Sequence, residues 1–114
     1  MKTASCKAKG RRFQQAVATI IKAHFNLPDP DAVSTSMGNQ GVDIQLSFHA
    51  RSLFPWAVEC KNTEKINIWA AIEQAKANAV KEGLKPLVAF TRNNSEAYVC
   101  IRLEDFMDAV RPKE

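Results

Sequence analysis

The spacing of apolar positions changes several times along the chain, and each change predicts an element. Between residues 10 and 26, Phe13, Val17, Ile20 or Ile21 and His24 recur at helical spacing until Pro28 and Pro30 stop the run. The stretch DAVSTSMGNQG that follows is loop-like, with a short strand expected around Val33. Residues 42–48, VDIQLSF, set Val42, Ile44, Leu46 and Phe48 on one side and Asp43, Gln45 and Ser47 on the other, which is strand periodicity. HARSLFP turns the chain. Residues 55–61 return as a second strand, where Trp56, Val58 and Cys60 alternate with Ala57, Glu59 and Lys61. The alanine-rich stretch 64–82 is helical, with Trp69, Ile72, Ala75 or Lys76 and Ala79 on one stripe, and Gly83 and Pro86 close it. PLVAF at 86–90 reads as a short buried strand, NNSE at 93–96 as a turn, AYVCIRL at 97–103 as a strand and EDFMDAV as a short final helix.

These elements predict a three-layer α/β domain. The two central strands, joined by a turn, are expected to pair antiparallel, and the long helix after them crosses over to a further strand, giving a mixed sheet flanked by helices. A length of 114 residues suits a single domain. Trp69 and Phe90 are expected in the core, Trp56 in the core or at an interface, His24 packed on the first helix and His49 exposed.

Charge adds a second feature. The net charge is +4, yet Lys2, Lys7, Lys9, Arg11 and Arg12 place five cations in the first twelve residues without an acid. Residues 1–9 are therefore read as a basic arm ahead of a domain at 10–114. Such an arm suits a polyanion such as nucleic acid, or merely solubilises the chain. No apolar run approaches the roughly 20 residues of a membrane helix, and the basic start lacks the apolar stretch of a secretory signal. Cys6, Cys60 and Cys100 are odd in number and widely spaced, so neither a disulfide framework nor a zinc site is expected, and a reducing cytoplasm is.

The candidate chemistry lies in WAVECKN at 56–62. Glu59 and Lys61 share a face of one strand, and Asp43 is on the polar side of its neighbour. Two carboxylates held close repel unless a cation lies between them. Mg²⁺ is the usual hard cation for such a pair with a substrate phosphate, Mn²⁺ is expected to substitute, and the Cys60 carbonyl offers another oxygen. Lys61 beside that site suits orientation of a water and offset of phosphate charge. The plain alternative is a solvated Glu–Lys pair on a strand surface. Ser34, Thr35 and Ser36 either satisfy loop backbone or reach phosphate oxygens. Asn62 and Arg92 follow the ends of two predicted strands, near the expected opening, and are candidate DNA contacts with Lys7, Lys9, Arg11 and Arg12.

GVD at 41–43, VECKN at 58–62 and EQAKANA at 73–79 together resemble the PD-(D/E)XK nuclease superfamily, and the predicted αβββαβ order resembles its restriction-endonuclease-like core. KGRRFQQAV at 9–17, STSMGNQGVD at 34–43 and ECKNTEKINIWAAIEQAKANA at 59–79 look closest to small phage-encoded, Holliday junction resolvase-like endonucleases. The resemblance implies metal-dependent cleavage of branched or four-way DNA by a homodimer, or else a nicking or restriction-like activity. It implies Asp43 and Glu59 as metal ligands, Lys61 as the catalytic lysine and Gln74 near the active site. One departure stands out: the first helix carries Gln14 where many resolvase-like members have a metal-binding glutamate. A catalytically inactive nucleic-acid-binding module of the same fold is the competing expectation.

Overall fold

The computed structural model describes residues 3–35 and 41–113. Helix α1 spans Thr3–Phe25, and a single 3-10 turn at Asp29–Asp31 leads into strand β1, Ala32–Ser34. Strand β2 (Ile44–Leu46), helix α2 (Phe48–Leu53), strand β3 (Trp56–Asn62) and helix α3 (Ile68–Glu82) follow. Strand β4 (Lys85–Thr91), strand β5 (Tyr98–Ile101) and helix α4 (Leu103–Val110) complete the order.

The sheet is mixed, in two parts. β1 and β2 pair antiparallel, while β3, β4 and β5 form a sheet in which β3–β4 is parallel and β4–β5 antiparallel. Strand alternation then sorts the core into layers. Val58, Leu87 and Ala89 cluster with Phe13, Ala18 and Ile21 of α1. On the other face Ala57 and Val88 meet Ala71, Ala75 and Ala79 of α3. Helix, sheet and helix make a three-layer α/β fold. The stripe of α3 toward the sheet is almost all alanine, and such small side chains let the helix axis lie close over β3. Ile44, Val58 and Val88 are the largest fully buried side chains, where truncation to alanine costs about 2–5 kcal/mol.

Several expectations change. The central strands do not form an antiparallel hairpin: β2 pairs with β1, and the Asp43 N–H reaches the Val58 carbonyl at 3.1 Å. The reason is α2, which occupies the segment expected to be a turn. Ser47 caps it by accepting the Ala50 N–H, and Arg51 ties it to α3 through ion pairing with Glu82 and a bond to the Glu82 carbonyl. Residues 3–9 are not an arm preceding the first helix but its opening turns. Alanine and lysine there favour helix strongly enough to carry Gly10 within it. Trp69 is 74% exposed rather than core, because the buried stripe of α3 runs through Ala71, Ala75, Asn78 and Ala79 and leaves Trp69 outside it. His24 is also exposed, its ring Nδ1 3.0 Å from the Ile20 carbonyl.

Candidate active site

β3 carries Glu59 and Lys61 on the face covered by α3. Asp43 arrives from the segment leading into β2, and two bonds clamp it to β3. Its N–H donates to the Val58 carbonyl at 3.1 Å, and its Oδ2 accepts the Cys60 N–H at 2.7 Å. A strand residue turns its N–H and C=O toward the same edge. The Cys60 carbonyl is therefore directed to the edge where Asp43 sits, away from the ladder with β4.

The approach of Asp43 depends on its neighbours. Gly41 has φ +105°, a conformation that L side chains rarely adopt. Val42 packs against Ala57 and Ala79. Asn78 of α3 donates to the Gly41 carbonyl at 3.1 Å and pins the loop from the helix side. Sequence reasoning missed Asn78; its signal was a poor helix former inside an alanine-rich helix, four residues after Gln74.

Glu59 is only 3% exposed. Its Oε2 lies 3.4 Å from the Lys61 ammonium, and its Oε1 is buried without a hydrogen-bond partner. Lys61 also donates to Gln74 Oε1 at 3.3 Å, so the ammonium is held between α3 and Glu59. Burial and then the Asp43 charge push the Glu59 carboxyl up to about 7, against the opposing pull of Lys61. Burial likewise raises Asp43, opposed by the Cys60 N–H and by Lys61. The Cys60 thiol is pushed far above its ordinary range by burial and by both carboxylates, which leaves it a poor nucleophile.

The donors around this point are oxygens: the Asp43 and Glu59 carboxylates and the Cys60 carbonyl. With Glu59 Oε1 unpartnered and two acids crowded together, the set fits a hard divalent cation. Among the described residues no group of three or more His, Cys, Asp or Glu side chains could hold a metal. Gln14, on α1, is 6% exposed, and its Oε1, like Glu59 Oε1, is buried without a hydrogen-bond partner.

The candidate DNA contacts divide. Lys7, Arg11, Arg12 and Arg92 are exposed. Lys9 is engaged, 3.3 Å from Glu64, while its carbonyl accepts the Asn62 amide at 3.5 Å. Glu64 also accepts the Asn93 N–H at 2.7 Å, and this bond holds its carboxyl below the usual range. Asn62, Lys9, Glu64 and Asn93 thus gather where β3 and β4 end, just beyond Lys61. Ser34 is half-buried at the end of β1, and Ser36 lies outside the described residues. No described helix is long and apolar enough to cross a membrane. No family model, no curated protein and no solved structure matches the chain.

Proposed function

We propose that the protein is a metal-dependent DNA endonuclease of the PD-(D/E)XK type, acting in the cytoplasm on branched or four-way DNA. One observation carries the reading. Two carboxylates from separate segments meet on β3: Asp43, half-buried and bonded to the Cys60 N–H, and Glu59, buried next to Cys60 with Lys61 at 3.4 Å and one oxygen unpartnered. A purely structural ion pair needs one acid, not two, and a like charge there costs stability.

Asp43, Glu59 and the Cys60 carbonyl would hold the Mg²⁺. When bound, the cation supplies Lewis-acid activation of a phosphate oxygen and of water. The chain's own residues do the rest. The Cys60 N–H fixes the Asp43 carboxylate, Gln74 positions the Lys61 ammonium, and Lys61 offsets the negative charge that grows on the phosphate as water attacks phosphorus and the bridging P–O bond breaks. The exposed Lys7, Arg11, Arg12 and Arg92 supply phosphate contacts that position the backbone without reading bases.

A second reading, a binding module without catalysis, is favoured by Gln14, an amide where the resemblance implies a metal-binding glutamate. Cleavage of labelled linear, flapped and four-way DNA with Mg²⁺, Mn²⁺ or EDTA separates the two. The nuclease reading expects four-way DNA to be cut with either metal and spared with EDTA. Binding of all substrates with no cutting leaves the binding module, and preferential nicking of linear duplex replaces junction selectivity with a nicking or restriction-like activity.

A further inference from the structure

The strand register sets three side chains in one row across the sheet. Lys61 of β3 is paired with Phe90 of β4, and Phe90 with Tyr98 of β5. Cross-strand partners point to the same face. Tyr98 therefore stands on the face that carries Glu59 and Lys61, two strand spacings or about 10 Å from Lys61. In the neighbouring row Val88 and Cys100 cluster with Ala71, Ala75 and Ile72 of α3. Tyr98 differs: it is 55% exposed, with its ring centroid 6.2 Å from that of half-buried Phe90. Tyr98, Phe90 and Ile66 line a cavity of about 320 Å³, whose polar members are Thr63, Glu64, Arg92 and Ser95. The turn that forms its far wall is pinned. The Asn93 N–H donates to Glu64 at 2.7 Å, Asn94 takes a left-handed φ of +58°, and the Thr91 hydroxyl donates to the Ser95 carbonyl at 3.2 Å. The wall thus needs no ligand to form, and the cavity opens beside the end of β3 that carries Lys61.

We propose that this cavity takes one unpaired nucleobase, stacked on Tyr98, from a nucleotide beside the phosphate that is cut. The inference rests on the nuclease reading for the place of that phosphate, and it adds the feature of the DNA that the site would select. Three properties favour a base. An exposed aromatic ring above an apolar floor of Phe90 and Ile66 is a stacking platform, and every base has a π-face to lay on it. The rim sets the hydroxyls of Thr63 and Ser95 where a base edge needs hydrogen-bonding groups, and exposed Arg92 reaches a flanking phosphate. The Glu64 carboxylate on the same rim is offset by Lys9 at 3.3 Å, which lessens its repulsion of a polyanion. Finally, the volume falls at the lower end of small-ligand sites, about 300–1,000 Å³, and suits a single planar ring system. A base inside a duplex is already stacked and paired, and reaching Tyr98 would cost it both. The cavity therefore discriminates in favour of DNA with an unpaired nucleotide at the branch.

Fluorescence anisotropy in EDTA, which separates binding from cutting, tests it. A branched DNA with one unpaired 5-iodouracil at the branch point is compared with the same branch fully paired. The wild-type protein is expected to bind the unpaired form about 5–100-fold tighter, the range of one base–aromatic stack. Tyr98→Ala should abolish that preference while affinity for the paired branch stays the same. Tyr98→Trp should keep it, and Tyr98→Leu, apolar but without a ring, should not. Arg92→Ala should weaken both forms alike, since a phosphate contact does not sense pairing. Ultraviolet irradiation should link the unpaired iodouracil to Tyr98, located by mass spectrometry. Tyr98 is exposed on the edge strand β5, so these changes spare the fold, with circular dichroism as the control. Equal affinity of the wild-type protein for the two DNAs overturns the proposal. So does a Tyr98→Ala loss that is the same for both, or a crosslink that forms away from the cavity. A preference that depends on Tyr98 in a protein that cuts with neither Mg²⁺ nor Mn²⁺ upholds the base site and removes the nuclease reading. Cutting without the preference does the reverse.

Discussion

Two carboxylates lie buried with one oxygen unpartnered, Glu59 in the middle of β3 and Asp105 on α4, and their surroundings differ. Asp105 has a single arginine at 3.1 Å, at the first turn of a helix where negative charge is welcome. Glu59 has a lysine too, but it also faces a second acid, Asp43, which raises its proton affinity instead of lowering it. An acid with one cation is a tether. An acid forced against another acid, with both fixed by backbone and helix, stores a repulsion that folding alone does not require. The contrast separates a residue that secures an element from one that, on the proposed reading, would hold a cation.

The sharpest way to break this contrast is to remove its members in turn and follow single-turnover cleavage of a four-way junction. Asp43→Asn and Glu59→Gln are expected to reduce metal-dependent cutting to background, and Lys61→Ala to cost roughly 10²–10⁴-fold. Asp105→Asn is expected to leave the rate per active site unchanged. Equal losses at Glu59 and Asp105 would erase the distinction, and wild-type rates in all three site variants would remove the active site from β3.

Next in size is the response of stability to pH. The folded Glu59 carboxyl titrates near 7, above its ordinary 4.5, so the folded protein holds a proton there that the unfolded chain has released. That stability is complete below about 4.5 and is lost as pH rises through about 7, on the order of 3 kcal/mol in all. Asp43 shifts in the same direction and adds to the decline. Urea unfolding of metal-free protein between pH 4.5 and 8 should therefore show falling stability, and Glu59→Gln should flatten the curve and be the more stable protein at pH 8. Saturating Mn²⁺ should flatten it as well, with proton release on binding near pH 7. A wild-type curve that rises across this range contradicts the crowding of the two acids.

Much of this was legible in the chain. The alternation in VDIQLSF and WAVECKN put Asp43, Glu59 and Lys61 on polar faces, and Gln74 fell one helical turn before Asn78 on α3. Alternation does not reveal pairing, however. The expected hairpin failed because α2 is too short to show a helical period and is announced only by the Ser47 cap. Asp43 still reaches β3, but through a side-chain bond to Cys60 instead of a full ladder. Trp69 misled for a related reason: size suggested core, whereas the close approach of α3 to the sheet required alanines. Pairing of Lys9 with Glu64, 55 residues apart, was equally out of reach of local pattern.

That pairing extends the contrast to cations. Lys61, partly exposed, pairs with buried Glu59 and lies near Asp43, Lys9 faces one exposed acid, and Arg11 and Arg12 are exposed. Filter binding of four-way DNA against salt should show the slope falling by about 0.9 for each phosphate left without its cation in Arg11→Ala and Arg12→Ala. Lys9→Ala should change it less, since that ammonium already has a partner. A larger slope change at Lys9 than at either arginine would mean that DNA displaces Glu64.

The smallest effect belongs to Asp105 itself. If it is only a tether, Asp105→Asn removes one partly exposed ion pair with Arg102 and one negative charge from the first turn of α4. Exposed pairs contribute about 0–1 kcal/mol and a charge at a helix N-terminus about 0.3–1 kcal/mol. Because the asparagine keeps the size and still offers an oxygen to Arg102, the expected loss is about 0.5–1 kcal/mol. Urea midpoints of the two proteins give the measurement. A loss of several kcal/mol would make Asp105 a structural keystone of the C-terminal region, while a clear gain would show that its buried, unpartnered oxygen outweighs the arginine, placing it with Glu59 as an acid retained at a cost to stability.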